Sequence, residues 1–302
     1  MLEPKNIKFY LKDGRKSLFD LQAGYDRLVD EYGWNKKLIC SQDVSIDGER
    51  YTFPSFVYFT KTSGPAIWLI SGVHGEEPAG PNAIFESVDF LGKLSEKGYS
   101  IVLIPLCNPS GYSRNWRYPN EYRDENKGYS VGNSAYLLPD LKNPLKPRED
   151  KPSSNEAKML TETILSFCPN YPPIFSIDLH EDEALSEAYV YSQGKLGAKD
   201  PVAKKIVNIL KISDMPLKEN GETRFGEVVK GGIISNVHDS SIDELLSSEK
   251  IFADGNVISG PSVKSVIVSE TPTKGVELSR RVAVHKNIVN SIEDLVKIAK
   301  EG

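Results

Sequence analysis

Short, almost uninterrupted apolar runs alternate with amphipathic helical segments along this chain, and this alternation most restricts how it can fold. The clearest apolar runs cover residues 65–70, 100–106, 174–179 and 265–269. Strands that are apolar on both sides must be buried on both faces of a sheet, and the intervening helices supply the cover. The sequence therefore predicts an α/β sandwich, with a mixed, largely parallel, twisted sheet and helices on both faces.

Helical periodicity and turn signals predict the elements around these runs. Apolar residues three to four positions apart predict helices over five ranges: 17–32, 78–94, 154–167, 201–210 and 279–299. Two further strands, at 37–46 and 51–60, flank Asp47-Gly48, which is a strong hairpin signal. This early hairpin makes the sheet mixed. We expect residues 1–62 to belong to one domain with the rest of the 302 residues.

Composition argues against several classes of protein. A net charge of −5 without any Lys/Arg-dense stretch argues against nucleic-acid binding. No apolar run approaches the ~20 residues that cross a bilayer, so we expect no membrane span. The three cysteines, Cys40, Cys107 and Cys168, are widely spaced and form no CxxC pair, which argues against a disulfide framework. Because residues 1–6 also lack the apolar core of a secretory signal, we expect a cytoplasmic protein.

Polar side chains follow the apolar runs at the strand ends, where open α/β sheets bind ligands. His74 and Glu77 follow the first run, Asp178 and His180 lie at the end of the third, and Glu270 follows the last. The chain has only four histidines, and two of them lie at such strand ends. A catalytic zinc site uses three imidazole or carboxylate ligands and keeps a fourth position for water. His74, Glu77 and His180 therefore form a candidate set of this kind.

Four segments of the sequence, taken together, resemble motifs of the zinc carboxypeptidases. This family comprises the M14-type metallopeptidases, and its relatives include the deacylases aspartoacylase and succinylglutamate desuccinylase. The segments are Gly-Val-His-Gly-Glu-Glu-Pro-Ala-Gly at 72–80, Asn-Pro-Ser-Gly-Tyr at 108–112, Asp-Leu-His at 178–180 and Val-Ser-Glu at 268–270. They occur in the family's order, within roughly residues 65–275. The resemblance implies one zinc-peptidase-like catalytic domain with a phosphorylase/hydrolase-like sandwich fold.

The resemblance also implies a role for each matching residue. His74, Glu77 and His180 would bind one Zn²⁺ ion per chain. Glu270 would be the general base and acid, since a carboxylate near an activated water can take and return a proton. Arg114 would polarise the scissile carbonyl and stabilise the oxyanion.

Asp178 has two open interpretations. It would orient His180 from behind, or it would cap a loop.

One substrate-binding motif of the family is altered in this chain. The family holds the substrate's C-terminal carboxylate with an Asn-Arg pair, and here Asn133 is followed by Ser134. Arg117 or Arg123 could replace the missing guanidinium, which suits a carboxylate, and Asn115 is a further candidate contact. Alternatively, the substrate has no free carboxylate in this position.

Three acidic residues, Glu181, Asp182 and Glu183, follow His180 directly, and Glu76 lies next to the candidate ligand Glu77. Acidic charge near the metal would favour cationic substrates or support the metal site. The simpler interpretation, which we favour, is a solvated loop.

These features predict a zinc-dependent, metallocarboxypeptidase-like hydrolase of an amide bond. The expected partner is a peptide or N-acyl amino acid substrate, without nucleic acid or membrane, and the sequence does not predict the oligomeric state. N-acyl amino acid deacylase and cell-wall peptide amidase are alternatives. A non-catalytic, ligand-binding descendant of the fold is the alternative of another class. It would have lost a metal ligand, the base or the arginine, and all five candidate positions are present.

Overall fold

The computed structural model describes residues 10–46, 48–119, 135–149, 151–253 and 255–301. The helices are α1 (Leu18–Asp30), α2 (Ala79–Glu86), α3 (Val88–Glu96), α4 (Pro109–Arg114), α5 (Asn155–Phe167), α6 (Pro201–Ile212), α7 (Ile242–Ser247), α8 (Leu278–Asn290) and α9 (Ile292–Glu301). The strands are β1 (Asn35–Ile46), β2 (Glu49–Phe59), β3 (Ala66–Ser71), β4 (Ser100–Ile104), β5 (Pro173–Asp182), β6 (Tyr189–Ser192), β7 (Asn220–Glu222), β8 (Val228–Lys230), β9 (Ile233–Ser235), β10 (Lys250–Ala253), β11 (Asn256–Ser259) and β12 (Val266–Pro272).

Ten of these strands form one mixed sheet, in the order β1-β2-β4-β3-β5-β12-β6-β9-β8-β7. The four central strands β4, β3, β5 and β12 are parallel to one another. Antiparallel pairs join this centre to the rest of the sheet on both sides, with β2 against β4 and β6 against β12. Further out, β9 pairs in parallel with β6. The predicted mixed α/β sheet is therefore confirmed, and four neighbouring parallel strands form its centre.

Both faces of the central strands are covered by helices, as predicted. Along β3, Ile67 and Leu69 pack into a core with residues of α1, α3, α6, α8 and α9. Trp68 and Ile70 point to the opposite face, where they pack with residues of α5 and α7. Successive side chains of a strand alternate between faces, so only an uninterrupted apolar run can satisfy both cores.

The N-terminal elements also agree with the sequence prediction. Helix α1 begins after Ser17, whose side chain accepts a hydrogen bond from the backbone of Asp20. Strands β1 and β2 pair as an antiparallel hairpin. Gly48 of the turn has a φ of 85°, and Asp47 lies outside the described residues.

Two helices that the periodicity predicts as continuous are each broken by a serine. Ser87 separates α2 from α3, and Ser291 separates α8 from α9. Each serine hydroxyl donates to the carbonyl four residues earlier, Ala83 or Asn287, at 2.8 Å. This bond competes with the helical ladder and bends the chain. An apolar spacing of three to four residues continues across such a bend, so the periodicity does not reveal it.

Several short elements were not predicted. Helices α4 and α7 have six residues each, and strands β7 to β11 have three or four. Windows this short contain too few residues to show a period.

The sequence predicts neither a disulfide framework nor a membrane span, and the structure gives one observation on each. Cys40, Cys107 and Cys168 are free thiols. Among the described residues, no helix has both the length and the apolar character that a membrane span requires.

Candidate metal centre

Parallel pairing brings the polar strand ends together at one edge of the sheet. In the register of β3 with β5, Ile70 lies opposite Asp178, so the loop that follows β3 begins beside His180. In the register of β5 with β12, His180 lies directly opposite Glu270. The candidate residues from three distant parts of the sequence therefore meet at the carboxyl ends of three central strands.

Two imidazole nitrogens and one carboxylate converge at this edge. His74 Nδ1 lies 2.8 Å from Glu77 Oε1, and His180 Nδ1 lies 2.8 Å from Glu77 Oε2. The two Nδ1 atoms are 3.1 Å apart. Ligands held at ~2.0–2.1 Å around a tetrahedral zinc ion lie roughly 3.3 Å from each other. The donor atoms and their spacing therefore fit a zinc ion bound by three protein ligands.

The loop that carries His74 and Glu77 packs tightly against α4 and the turn that follows it. A Cβ atom on Gly75 would lie 2.0 Å from the backbone carbon of Gly111 and 2.4 Å from the backbone oxygen of Trp116. Only glycine permits such an approach between two backbones. Gly75 thus lets the loop lie directly against α4 and the turn after it.

Burial and neighbouring charges change the proton affinity of all three candidate ligands. Burial, and then the Arg117 charge, lower the pKa of His74 to about 4, so its ring is neutral at pH 7. Burial opposes ionisation of Glu77, but His74 and His180 outweigh it and lower the pKa of this carboxyl. Burial opposes the charged form of His180, but Asp178 and Glu77 outweigh it and raise the pKa of the ring. An imidazole binds a metal only without its second proton, so metal binding should weaken as the pH falls.

Glu270 lies beside the three ligands but is not one of them. Its Oε2 atom is buried and has no hydrogen-bond partner among the described residues. Burial, with a contribution from Glu77, raises the pKa of Glu270 to about 8. A carboxyl group whose pKa lies near neutral pH is suited to accepting and returning a proton.

Among the described residues, the arginine that contacts the candidate ligands is Arg117. Its Nη1 atom lies 3.1 Å from Glu77 Oε1 and 3.2 Å from Glu76 Oε1. The family resemblance implies that Arg114 polarises the scissile carbonyl of the substrate. In the structure, Arg114 donates instead to the backbone oxygen of Pro119 at 3.0 Å. The structure therefore places a different guanidinium next to the candidate ligands.

The turn at Asn115 accounts for this placement. Asn115 ends α4 in the left-handed conformation, with a φ of 50°, and this reverses the chain. The carbonyl of Arg117 then accepts a hydrogen bond from the backbone of Gly75. An Asn directly after a helix favours such a reversal, but a helix as short as α4 shows no period in the sequence.

The other candidate substrate contacts have different outcomes. The side-chain oxygen of Asn115 accepts a hydrogen bond from Arg15 Nη2 at 2.6 Å. Within the described ranges it makes no hydrogen bond to His74, Glu77 or His180. Arg123, Asn133 and Ser134 lie outside the described residues.

Two buried carboxyl groups lie behind His180. Asp178 Oδ2 is 3.0 Å from His180 Nε2, on the opposite side of the ring from Glu77. This contact agrees with an orienting role for Asp178. Asp243, on α7, also lies within 4.8 Å of both groups and was not identified from the sequence. Burial and the Asp178 charge raise the pKa of Asp243.

The interpretation of residues 181–183 as a solvated loop is wrong for two of the three. Strand β5 does not end at Leu179 but continues to Asp182, which buries Glu181 and Asp182. Asp182 accepts a hydrogen bond from the Tyr189 hydroxyl at 2.7 Å. Only Glu183 is exposed.

Comparison with known proteins gives structural matches only. Neither the protein-family models nor the curated protein sequences include a match to this chain. A candidate metallopeptidase from Shewanella amazonensis has 20% identity and a TM-score of 0.70, and the match covers 92% of each chain. Bovine thrombin-activatable fibrinolysis inhibitor, solved with tick carboxypeptidase inhibitor, has 13% identity and a TM-score of 0.59, with 96% of this chain and 97% of that one covered.

A third solved structure is carboxypeptidase A from Helicoverpa armigera. It has 11% identity and a TM-score of 0.56, and the match covers 98% of this chain and 76% of that one. At such low identities the likeness concerns the fold. The protein therefore has the mixed α/β fold of the metallo-carboxypeptidases.

Proposed function

We propose that this protein is a zinc-dependent, metallocarboxypeptidase-like hydrolase of an amide bond. The observation that carries the proposal is the convergence of His74, Glu77 and His180 at one sheet edge. Beside them lies Glu270, whose buried Oε2 atom has no hydrogen-bond partner among the described residues. His74, Glu77 and His180 would hold the zinc ion. When bound, zinc acidifies a coordinated water and polarises the carbonyl of the substrate.

The remaining chemistry belongs to residues of this chain. Glu270 would accept a proton from the attacking water and return it to the leaving nitrogen. Arg117 would donate hydrogen bonds to the oxygen on which negative charge develops. Its contact with Glu76 keeps the guanidinium at the site while Glu77 serves as a ligand.

Replacing each arginine separately tests which one stabilises the oxyanion. We expect Arg117→Gln to lower kcat about 10²–10³-fold, the usual effect of losing one such donor, with the zinc content unchanged. We expect the matched variant Arg114→Gln to lower kcat by less, because Arg114 contacts the backbone of its own segment. Steady-state kinetics with metal analysis measures both. A larger effect of Arg114→Gln would assign the role to Arg114, as the family resemblance implies.

The function is tested by metal analysis followed by a substrate panel. We expect about one zinc ion per chain in the purified protein, because the three ligands form a single site, in which water takes the fourth position. The panel contains a peptide with a free C-terminus, the same peptide with an amidated C-terminus, N-acyl amino acids and a cell-wall peptide. Release of the last residue from the free peptide alone supports a carboxypeptidase.

The other outcomes of the panel separate the alternatives. Turnover of N-acyl amino acids alone would identify a deacylase, and turnover of the cell-wall peptide alone an amidase. A protein that takes up no zinc would overturn the proposal and leave the ligand-binding alternative.

A further inference from the structure

The Glu181 side chain is completely buried and joins two helices. Its Oε2 atom accepts a hydrogen bond from the backbone N–H of Ala79, the first residue of α2, at 2.6 Å. Its Oε1 atom forms an ion pair with Arg281 Nη1, on α8. The exposed fraction of the Glu181 side chain is 0% and that of Arg281 is 9%. This carboxylate therefore faces protein on every side and cannot contact a substrate.

The backbone of the same residue binds a candidate metal ligand. The N–H of Glu181 donates to Glu77 Oε2 at 3.1 Å. Glu77 precedes Ala79 by only two residues. Glu181 thus makes two contacts with the segment from Glu77 to Ala79. Its backbone N–H binds the Glu77 carboxylate, and its side chain binds the first residue of α2, the helix that follows Glu77.

Helix α2 depends on this contact because it lacks a side-chain cap of its own. The residue at its N-cap is Pro78, which offers no oxygen to the free N–H groups of the first turn. A carboxylate at this position also interacts favourably with the helix dipole. Glu181 therefore acts as a cap supplied by a neighbouring strand.

Arg281 is held in place by the segment that leads into its own helix. Its Nε atom donates to the backbone oxygen of Val276 at 3.1 Å. Leu278 and Val282 of α8 form a buried apolar cluster with Ala79 and Ala83 of α2. The guanidinium thus reaches Glu181 from a helix that packs against α2, and it neutralises a charge that would be costly to bury alone.

We propose that Glu181 and Arg281 form a positioning pair that holds Glu77 in place against His74 and His180. Because Arg281 lies on α8 and Glu181 binds the first residue of α2, the position of Glu77 depends on how α8 packs against α2. This inference rests on the proposed metal site. It also explains why the acidic charge of Glu181, close to the ligands in sequence, is not available to a cationic substrate.

The test compares graded variants by their affinity for zinc. Glu181→Gln keeps an acceptor for the Ala79 N–H but loses the ion pair, and Glu181→Ala loses both. We expect zinc affinity, measured on the metal-free full chain by competition with a chromophoric chelator, to fall about 10–100-fold in Glu181→Ala. We expect a smaller fall in Glu181→Gln. The visible absorption of the cobalt-substituted protein should shift in the same order.

Two controls separate positioning from general destabilisation. Glu183→Gln changes an exposed carboxylate two residues away and should leave zinc affinity unchanged. Ile288→Val removes a methylene group from the buried face of α8. It should lower the thermal midpoint without weakening zinc binding. Equal loss of affinity in Ile288→Val and Glu181→Ala, at equal loss of stability, would overturn the inference.

A measurement without metal distinguishes this inference from the proposed function. We expect hydrogen exchange of the Ala79 amide to be faster in folded Glu181→Ala than in the wild type. Unchanged exchange, or zinc affinity unchanged in a folded variant, would overturn the positioning role. If the wild type binds no zinc, the proposed function fails, and the exchange rate of Ala79 alone decides whether Glu181 holds this segment.

Discussion

Replacing either candidate histidine ligand by alanine is expected to remove the zinc ion. Two ligands cannot form the three-ligand site of a catalytic zinc, so the metal content of His74→Ala and His180→Ala should fall from about one ion per chain to nearly none. Mass spectrometry of the metal in purified protein measures this. His238→Ala is the matched control, because His238 contacts Glu244 and not the cluster.

The two histidine variants should differ in stability although both lose zinc. His180 lies between Asp178 and Glu77, at 3.0 and 2.8 Å, and its removal leaves two buried carboxylates without this partner. Breaking a buried pair in this way costs about 3–5 kcal/mol. His74→Ala leaves the contacts of His180 with Asp178 and Glu77 in place, so we expect a smaller loss of thermal stability. Zinc retained in a folded His74→Ala would exclude the proposed ligand set.

Glu270→Gln is expected to lower turnover about 10²–10⁴-fold while the zinc content stays the same. Glutamine has nearly the same shape as glutamate but cannot take up a proton, and general acid–base catalysis usually contributes a factor of this size. Steady-state kinetics, with metal analysis of the same samples, checks both parts. Glu187→Gln, a change at a half-buried carboxylate that contacts Lys218, is the control.

The pH dependence of the wild type provides a second test of Glu270. The basic form of this carboxyl is lost as the pH falls, so kcat/KM should decrease on the acid side of the profile. Burial raises the pKa of Glu270 to about 8 without metal, and a nearby Zn²⁺ charge would bring it lower. At pH values where the zinc content stays constant, this acid limb should disappear in Glu270→Gln. Full activity in the variant would assign the base to another residue, and no turnover by the wild type would favour the ligand-binding alternative.

The central sheet was predictable because its strands are buried on both faces. Ile67, Trp68 and Leu69 belong to two different cores, and no polar side chain could replace any of them without facing one of these cores. Such runs are visible in the sequence without knowledge of the fold. The polar residues directly after them mark the strand ends, which is why His74 and His180 could be paired before the structure was known.

The choice between the two arginines was not predictable in this way. Arg114 and Arg117 differ by three positions, about one turn of a helix, and both follow the same apolar run. The helix ends at Arg114, and the left-handed Asn115 then turns the chain so that Arg117 lies against Glu77. A single backbone conformation thus decides which guanidinium enters the site.

By itself, the sequence determined the mixed α/β architecture and the candidate ligands, because burial and strand ends are local properties of the chain. Only the tertiary structure decided the surroundings of those ligands. Glu181 is an acidic residue in an acidic segment, and nothing nearby in sequence shows that it is buried. Its partner Arg281 lies 100 positions further on. The electrostatic environment of a buried charge depends on which elements pack around it, and that packing exists only in the folded chain.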